Sequence, residues 1–291
     1  MITKGVIPAA GFGTRFLPFT KSQPKEMLPI VDTPTIQYVV EEAVSSGITD
    51  ILMIIGRGKR AIEEHFDRNF ELEQQLREQN KSEELEKIQA ITKLADIHFV
   101  WQKELNGLGD AIRYAYHHVK KEPFAVLLGD TLIEGSGQPI TRQLMDVFDT
   151  YHHSVVALER IDRESVGRYG IIGGELITDK IYRINQFIEK PDRAEAPSDL
   201  AIASRYIFTP EIFNYLNRLK PGKNNEIQLT DAMQLMLKDH PMYGLQFDGR
   251  RHDIGNKFDF LKTNILYGLK REDLADDFKA WLVQLVKTIN P

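Results

Sequence analysis

The N-terminal part of the chain places a pair of glycines directly before a group of basic side chains. Gly11 and Gly13 follow an apolar run at residues 6–10, which predicts a buried strand ending in a loop. Because glycine has no Cβ, the main-chain N–H groups of such a loop can face a bulky ligand. The basic residues that follow are Arg15, Lys21 and Lys25. Backbone donors followed by cations suit a polyanion, and a nucleoside triphosphate is the obvious candidate.

Two well-known glycine loops do not match this stretch. The dinucleotide fingerprint G-x-G-x-x-G requires glycine at position 16, where the chain has Phe16. The Walker motif G-x-x-x-x-G-K-[ST] is also absent from the sequence. A glycine pair alone is a weak signal, since an ordinary strand-to-loop turn has the same composition. The mismatch at position 16 argues against a nucleotide-binding oxidoreductase.

Two aspartates are placed to bind a divalent cation. Asp130 comes directly after a predicted strand at residues 124–128, and Asp253 follows another predicted strand. In open α/β sheets, ligands bind beyond the carboxyl ends of the strands. Mg²⁺ takes one or two protein carboxylates, and phosphate oxygens and water complete its coordination. Either aspartate alone is better explained as a cap or turn acid, but the pair beside a polyanion loop predicts a Mg²⁺ site.

An amide and a short charged tripeptide are candidates for binding a base and a sugar phosphate. Gln102 ends a predicted strand at residues 97–101, and its amide can form two hydrogen bonds with a base that presents a donor beside an acceptor. In Glu189-Lys190-Pro191, the lysine offers a positive charge to a phosphate and the glutamate can accept from sugar hydroxyls. In isolation, an exposed strand-end glutamine and a surface turn are the more common explanations.

Side-chain nucleophiles and transition-metal ligands lack a recognisable motif. The sequence has no cysteine, no H-x-x-x-H or H-E-x-x-H spacing, and no serine in G-x-S-x-G. We therefore expect neither zinc binding nor covalent catalysis. A phosphate monoester that acts as the nucleophile is already a dianion near neutral pH, since its second pKa is roughly 6. It needs no general base, only charge neutralisation and in-line alignment.

Alternating strands and helices position these residues. Strands are predicted at residues 6–10, 51–55, 97–101, 124–128 and 155–158, and helices at 35–46, 107–118 and 141–150. This order predicts an α/β fold with a mainly parallel sheet. Short alternating runs over residues 166–208 then predict antiparallel strands around a pocket. The last predicted elements are helices at 210–219, 228–238, 257–268 and 272–287 and a strand at 242–247.

The composition is that of an ordinary globular protein. The chain has 291 residues, of which 42% are hydrophobic and 27% charged, and its formal net charge is −5. No overall basic charge therefore argues for binding to nucleic acid or to a membrane. No apolar run approaches the roughly 20 residues of a membrane-spanning helix, and no signal peptide is visible. A cytoplasmic protein is the expectation.

Two motifs carry a family resemblance. Residues 9–15 read A-A-G-F-G-T-R, followed by L-P at 17–18, and residues 24–29 read P-K-E-M-L-P. This combination resembles the signature of the sugar-nucleotide pyrophosphorylases, and later motifs extend the similarity over almost the whole chain. The resemblance implies a nucleotidyltransferase fold, with a Rossmann-like, mainly parallel sheet flanked by helices and a smaller antiparallel sugar-binding portion. It also implies a homodimer or homotetramer.

The resemblance further implies a reaction and a cofactor. UTP and glucose 1-phosphate would give UDP-glucose and pyrophosphate, with Mg²⁺ bound between the substrates. A dTTP-dependent sugar-1-phosphate thymidylyltransferase is the nearest alternative, and the P-K-E-M-L-P motif weighs against it. A non-catalytic regulatory paralogue is the alternative from a different class, and the intact charges of the motifs argue against it.

Matching the family motifs residue by residue implies roles for individual side chains. The catalytic roles fall on Arg15, Lys25 and Lys190. The nucleotide contacts fall on Ala9, Ala10, Gly11, Gly13, Thr14, Gln102 and Gly107. The sugar contacts fall on Thr131, Gly170, Glu189 and Ala203, and the metal ligands are Asp130 and Asp253. The chain departs from the family pattern with Asp110 where histidine is frequent, and with Ser204 in place of glycine in G-R-Y.

The same pattern predicts how the chain is divided. We expect a nucleotidyltransferase domain at residues 1–270, with its sugar-binding portion at about 160–255, and a C-terminal helix at 271–291 for packing or subunit contact. Residues 69–94 are predicted to form a charged helical insertion, broken near 80–82 and mainly solvated. A partner-binding arm is the less favoured alternative. The family's uridylyltransferases are similar in carrying a helical insertion here.

Overall fold

Strands and helices alternate along most of the structure, a computed structural model that describes residues 1–135, 137–222 and 225–289. The strands are β1 (Lys4–Ala9), β2 (Pro29–Ile30), β3 (Thr33–Pro34), β4 (Asp50–Ile55), β5 (Asp96–Trp101), β6 (Phe124–Leu127), β7 (Thr131–Gly135), β8 (Val155–Arg160), β9 (Gly170–Leu176), β10 (Ile181–Glu189), β11 (Leu200–Phe208), β12 (Met242–Gln246) and β13 (Gly249–Asp253). The helices are α1 (Thr35–Ser45), α2 (Arg60–Phe66), α3 (Phe70–Glu78), α4 (Ser82–Ile91), α5 (Leu108–Arg113), α6 (Tyr116–Val119), α7 (Ile140–Tyr151), α8 (Ile212–Leu216), α9 (Leu229–Met236), α10 (Lys257–Gly268) and α11 (Ala275–Ile289). Within these described ranges, no helix is both long enough and apolar enough to cross a lipid bilayer.

A mixed sheet joins nine strands of the described residues in the order β5-β4-β1-β6-β11-β8-β12-β10-β9. The first four are parallel, since β1 pairs with β4 and β6, and β4 pairs with β5. Strand β11 pairs antiparallel with β6 and β8, and β10 pairs antiparallel with β9 and β12. The predicted α/β fold is confirmed. The antiparallel strands continue the same sheet, so the parallel arrangement predominates only in its first half.

Apolar side chains cover both faces of the parallel strands. In β4, Ile51, Met53 and Ile55 belong to one hydrophobic core, while Leu52 and Ile54 belong to the other. Successive residues of a strand point to opposite faces, which explains why this buried strand is an uninterrupted apolar run. Helices α1 and α7 contribute to the first core, and α5, α8 and α9 to the second. With both faces covered, the strand ends are left for ligand binding.

Short elements differ most from the sequence prediction. The helix predicted at residues 107–118 is two helices, α5 and α6, and the sequence patterns did not predict α2 or β7. Strand β7 has five residues and pairs antiparallel with β13, so that Thr131 lies opposite Asp253. Local periodicity cannot reveal a pairing between segments so far apart in the chain. The charged segment at 69–94 forms α3 and α4, with the break where it was predicted.

The C-terminal helix α11 packs on α10 and leaves apolar side chains exposed. A Cβ at Gly268 would lie 3.0 Å from the ring of Phe278, so this glycine permits a close helix contact. Trp281 stacks on Phe278 with 5.9 Å between the ring centroids, and it is 53% exposed. Only part of the amphipathic face of α11 is therefore covered by the chain itself.

Ser204 in β11 has a backbone conformation that favours glycine. Its φ is +62°, and the register with β8 shifts between Ile202 and Tyr206. A side chain with a Cβ costs about 1–2 kcal/mol in the left-handed region. We expect Ser204→Gly to be more stable than Ser204→Ala by about 1 kcal/mol, after allowing for the greater freedom of glycine in the unfolded chain. Because both variants lose the same hydroxyl, the difference between their urea unfolding midpoints measures the backbone effect. Equal midpoints would contradict the prediction.

Candidate active site

The loop after β1 is packed at two points and open between them. Gly13 has φ +65°, and a Cβ there would lie 3.0 Å from Cβ of Lys25. Gly56, which follows β4, lies so close to Ala10 that a Cβ would be 2.6 Å from its carbonyl oxygen. At Gly11, by contrast, no described atom beyond the chain neighbours lies within 4 Å of the Cβ position. The main chain at Gly11 can therefore face a ligand.

The other loop residues differ in what they can offer. Ala9 and Ala10 are 2% and 7% exposed, so a nucleotide could contact little more than their backbone. Thr14 and Arg15 are exposed and lie in a short 3-10 turn at residues 14–16. The loop therefore presents backbone groups first and side chains immediately after them.

Arg15, Asp130 and Asp253 converge on the backbone of Gly255. A Cβ at Gly255 would lie 3.0 Å from Oδ1 of Asp253 and 3.3 Å from Oδ2 of Asp130. The same point is 3.7 Å from Nη1 of Arg15, which donates to the carbonyl oxygen of Gly255 at 3.5 Å. Residues from three distant parts of the chain therefore meet where only glycine leaves room.

A short ion pair joins Lys25 to Asp130. Nζ of Lys25 donates to Oδ2 of Asp130 at 2.5 Å, and the two side chains are 23% and 22% exposed. Burial acts to raise the pKa of the Asp130 carboxyl, but the charge and hydrogen bond of Lys25 hold it below its ordinary value. Burial raises the pKa of the Asp253 carboxyl, and the charge of Asp130 adds to this effect. A bound cation would relieve the repulsion between the two carboxylates.

The carboxylate pair fits a divalent cation that shares its coordination with a substrate. Nowhere in residues 1–135, 137–222 and 225–289 do three or more His, Cys, Asp or Glu side chains form a group suited to a metal. Mg²⁺ needs only one or two protein carboxylates when phosphate oxygens and water supply the remaining ligands. Asp130 and Asp253 supply that number, and Gly255 keeps the space beside them clear. These residues could therefore hold a divalent metal.

A buried ion pair supports Lys25 through the next residue in the chain. Glu26 accepts a hydrogen bond from Nζ of Lys59 at 2.7 Å, and their side chains are 1% and 6% exposed. Burial raises the pKa of the Glu26 carboxyl and lowers the pKa of the Lys59 amine. Burial also acts to lower the pKa of Lys25, but the charges of Asp130 and Glu26 raise it above its ordinary value. The buried pair thus helps to keep Lys25 charged.

Removing Glu26 should destabilise the fold strongly. In Glu26→Ala the ammonium of Lys59 is left buried without its partner, which costs about 3–5 kcal/mol in comparable buried pairs. Guanidinium unfolding should show a loss of this size in the free energy of unfolding. Combining Glu26→Gln with Lys59→Met should recover most of it, because no unpaired charge remains. A loss below about 1 kcal/mol in the single variant would contradict the prediction, since that is typical of an exposed pair.

The candidate base-binding residues lie between β5 and α5. Gln102 is buried, and its Nε2 donates to Oδ2 of Asp110 at 3.0 Å and to the carbonyl oxygen of Gly107 at 3.4 Å. Gly107 has φ +100°, and a Cβ there would lie 2.8 Å from Cβ of Glu226. Both amide protons of Gln102 are used within the protein, which leaves its Oε1 to accept from a base. The expected pairing with uracil through two bonds of this amide would require these contacts to break.

A second cluster contains Gly170, Glu189 and Thr230. Oγ1 of Thr230 donates to Oε2 of Glu189 at 2.7 Å. A Cβ at Gly170 would lie 3.1 Å from that hydroxyl and 3.3 Å from that carboxylate oxygen. Burial and the charge of Glu189 raise the pKa of the Asp231 carboxyl. Carboxylate oxygens beside a backbone that carries no side chain suit the hydroxyl groups of a sugar.

Lys190 follows β10 with a strained backbone. Its φ is +45°, and its N–H donates to the carbonyl oxygen of Tyr169 at 3.1 Å. Its Nζ lies 3.2 Å from Oε1 of Glu189. Non-glycine residues in this conformation cost of order 1–3 kcal/mol and cluster at functional sites. Because Lys120, outside the site, also has positive φ, the functional role of Lys190 rests on its motif and on its place beside Glu189.

Two contacts join these clusters to one another. Nη2 of Arg168, which precedes β9, lies 4.0 Å from Oδ2 of Asp253. The N–H of Gly109 donates to the carbonyl oxygen of Ile227 at 2.8 Å. This hydrogen bond joins the segment that contains Gln102 and Gly107 to the segment before α9. The Asp130 and Asp253 pair, the segment of Gln102 and Gly107, and the Glu189 cluster are therefore linked through residues that neighbour them in the chain.

Two of the expected sugar contacts are not accessible. Ala203 has no exposed surface, and Thr131 is 3% exposed. Oγ1 of Thr131 donates to Oγ of Ser204 at 3.3 Å, and its carbonyl oxygen accepts from Nη2 of Arg205 at 2.8 Å. A sugar could reach Thr131 or Ala203 only after a rearrangement. Both residues lie in the protein interior, and Thr131 directly follows Asp130 in the chain.

Two contacts of the site were not predicted from the sequence. Lys59 follows the glycines at 56 and 58 after β4, and only this position at a strand end could have marked it. Arg168 lies two residues before Gly170, but its approach to Asp253 depends on how β9 is placed in the sheet. These contacts became visible only in the folded chain.

Known proteins resemble this chain over nearly its full length. A profile of the family described as Nucleotidyl transferase matches residues 4–268. A UTP–glucose-1-phosphate uridylyltransferase from Staphylococcus epidermidis is 50% identical over 284 residues, which cover 98% of each chain. A UTP–glucose-1-phosphate uridylyltransferase 2 from Streptococcus pyogenes is 47% identical over 292 residues, covering 99% of this chain and 97% of that relative.

Solved structures show the same likeness in three dimensions. A UDP-glucose pyrophosphorylase complexed with UDP-glucose superposes with a TM-score of 0.86 at 42% identity, covering 93% of this chain and 100% of that one. A UTP-bound UGPase from Acinetobacter baumannii gives a TM-score of 0.91 at 34% identity, covering 98% of this chain and 100% of that one. The resemblance predicted from the motifs is confirmed, and the chain belongs to the nucleotidyl transferase family.

Proposed function

We propose that the chain is a uridylyltransferase that converts UTP and glucose 1-phosphate into UDP-glucose and pyrophosphate. The observation that carries the proposal is the convergence of Arg15, Asp130 and Asp253 on Gly255, with Lys25 bonded to Asp130. Such a group of charges suits a polyphosphate held together with a divalent cation. The choice of substrates rests on the uridylyltransferases that this chain resembles over nearly its full length.

The reaction is an in-line displacement at phosphorus. An oxygen of glucose 1-phosphate forms a bond to the α-phosphorus of UTP, and the bond from that phosphorus to the α,β-bridging oxygen breaks. The electron pair leaves with pyrophosphate. No proton has to be removed from the nucleophile, because the second pKa of a phosphate monoester is roughly 6. The protein therefore has to align two anions and neutralise their charge.

The charged residues divide this work. Arg15 is assigned to the β- and γ-phosphates, Lys25 to charge at the reacting phosphates, and Lys190 to the phosphate of glucose 1-phosphate. Backbone groups of the loop at residues 9–14 face the triphosphate. Asp130 and Asp253 would hold Mg²⁺, which neutralises phosphate charge when it is bound.

The neutral parts of the substrates bind on either side of these charges. Gln102 and Gly107 are assigned to uracil, with Oε1 of Gln102 accepting from N3–H. Gly170 and Glu189 are assigned to the glucose hydroxyls. Thr131 in β7 and Ala203 in β11 shape the interior behind the sugar and contact it only if these strands rearrange.

Pyrophosphate release tests this function. UTP and dTTP are each combined with glucose 1-phosphate or galactose 1-phosphate, in the presence of Mg²⁺ and after its removal with EDTA. We expect release only from UTP with glucose 1-phosphate and only with the metal. Comparable release with dTTP would identify a thymidylyltransferase. Binding of UDP-glucose without release from any pair would identify a non-catalytic paralogue.

A homodimer or homotetramer is part of the same proposal. In α11, the side chains of Val283, Val286 and Ile289 are 51%, 57% and 66% exposed, and their spacing of three residues places them on one side of the helix. Apolar groups exposed together on one helix favour a subunit contact. Light scattering during size-exclusion chromatography measures the mass directly, and a monomer at micromolar concentration would contradict this part. The cytoplasmic location stays a prediction from the sequence.

A further inference from the structure

Asp110 contacts the amide of Gln102 in the protein interior. The two residues are 8% and 6% exposed, and Oδ2 of Asp110 accepts from Nε2 of Gln102 at 3.0 Å. Oδ1 of Asp110 lies 3.5 Å from Nη1 of Arg113. Arg113 in turn donates to the carbonyl oxygen of Leu216 in α8. The carboxylate is therefore held in place by a guanidinium that is itself anchored.

These contacts determine which end of the Gln102 amide can face a ligand. An amide has a donating end and an accepting end of nearly the same shape. Asp110 and the carbonyl of Gly107 are both acceptors, and both contact Nε2. Turning the amide over would place Oε1 against these two acceptors and lose both hydrogen bonds. Oε1 is therefore kept as the end that accepts from a base.

We propose that Asp110 is a positioning residue that makes the base site select a pyrimidine with a proton on N3. The inference deepens the proposed function and rests on its assignment of Gln102 to the base. N3 of uracil carries a proton and can donate to Oε1, whereas N3 of cytosine carries none and only accepts. Cytosine would therefore oppose Oε1 with a second acceptor, and a buried site rejects such an unpaired arrangement strongly.

Asp110→Asn tests the proposal because it changes the hydrogen-bonding groups and barely changes the shape. The new amide can donate to Oε1 of a turned Gln102, so that only the carbonyl of Gly107 still favours the original orientation. We expect the ratio of kcat/KM for UTP to that for CTP to fall at least about tenfold, the equivalent of one hydrogen bond. The KM for glucose 1-phosphate should stay unchanged, which distinguishes this effect from a general loss of structure.

The matched control is Glu104→Gln, which neutralises a different carboxylate on the loop that precedes α5. Glu104 is exposed and accepts from Asn106 at 3.2 Å, without contacting Gln102. Its substitution should leave the UTP to CTP ratio unchanged. If Asp110→Asn fails to fold, Asp110→Ser is measured instead, since a hydroxyl both donates and accepts.

A double variant separates positioning from any direct effect on the base. If Asp110 acts through Gln102, then Asp110→Asn should not change the UTP to CTP ratio in a Gln102→Ala background. An unchanged ratio in the single variant, or an equal fall in both backgrounds, would overturn the inference. If the wild-type chain releases no pyrophosphate from UTP, the proposed function fails. In that case the affinities of the same variants for UTP and CTP are measured instead. An unchanged affinity ratio in the single variant, or an equal fall in both backgrounds, would again overturn the inference.

Discussion

Asp130→Asn should lower kcat/KM for UTP and glucose 1-phosphate by about 10²–10³-fold, because the metal that would neutralise the phosphates loses one of its two carboxylate ligands. The amide keeps the size of the side chain but not the negative charge that would hold a divalent metal. It also removes the partner of Lys25, which lies at 2.5 Å. Activity measured as a function of Mg²⁺ concentration should show a higher metal requirement. Full activity at ordinary Mg²⁺ would rule out Asp130 as a ligand.

The control for this variant is an aspartate of similar chemistry outside the site. Asp146 lies on α7, is 52% exposed at its side chain, and pairs with Arg142. Asp146→Asn should leave both activity and its metal dependence unchanged. A similar loss in both variants would point to a general effect of removing acidic charge.

The same substitution should have a pH signature in stability. Despite burial, Lys25 holds the pKa of the Asp130 carboxyl below its ordinary value. A lowered carboxyl pKa stabilises the folded state at neutral pH, and this contribution is lost as the pH falls through the folded-state value. The Tm difference between wild type and Asp130→Asn should therefore shrink as the solution is acidified. A difference that widened toward acid would contradict the sign of this shift.

Lys190→Ala should reduce turnover about 10²-fold and raise the KM for glucose 1-phosphate about tenfold or more, because a hydrogen bond to a charged group contributes about 1.5–3 kcal/mol. The KM for UTP should change little, since the lysine is assigned to the other substrate. Steady-state kinetics with each substrate varied in turn measures this split. Unchanged kinetics would remove Lys190 from the mechanism.

Lys120→Ala is a closely matched control for the lysine variant. Lys120 is also a lysine with positive φ, at +59°, and it is exposed at the end of α6. The two substitutions therefore make the same chemical change in similarly strained backbones. Lys120→Ala should retain wild-type kinetics, whereas Lys190→Arg should recover part of the activity because it restores the charge.

Long periodic elements could be predicted from the sequence because their pattern is local. Helix α10 begins and ends at the predicted residues 257 and 268, and β4 is one residue longer than its predicted apolar run. Strand β7 was missed because five residues carry little periodicity and its partner β13 lies far along the chain. Short elements held mainly by distant partners are therefore the least predictable from local pattern.

The sequence by itself determined the chemistry that is available: a glycine loop, three cations, two strand-end acids and a family signature. The tertiary structure alone decided how those groups are paired. It joined Lys25 to Asp130, oriented the amide of Gln102 with Asp110, and buried Ala203 in the interior. Each of these outcomes depends on burial and on which side chains the folded chain brings into contact. Local spacing of residue types contains neither, because both follow from the packing of the whole chain.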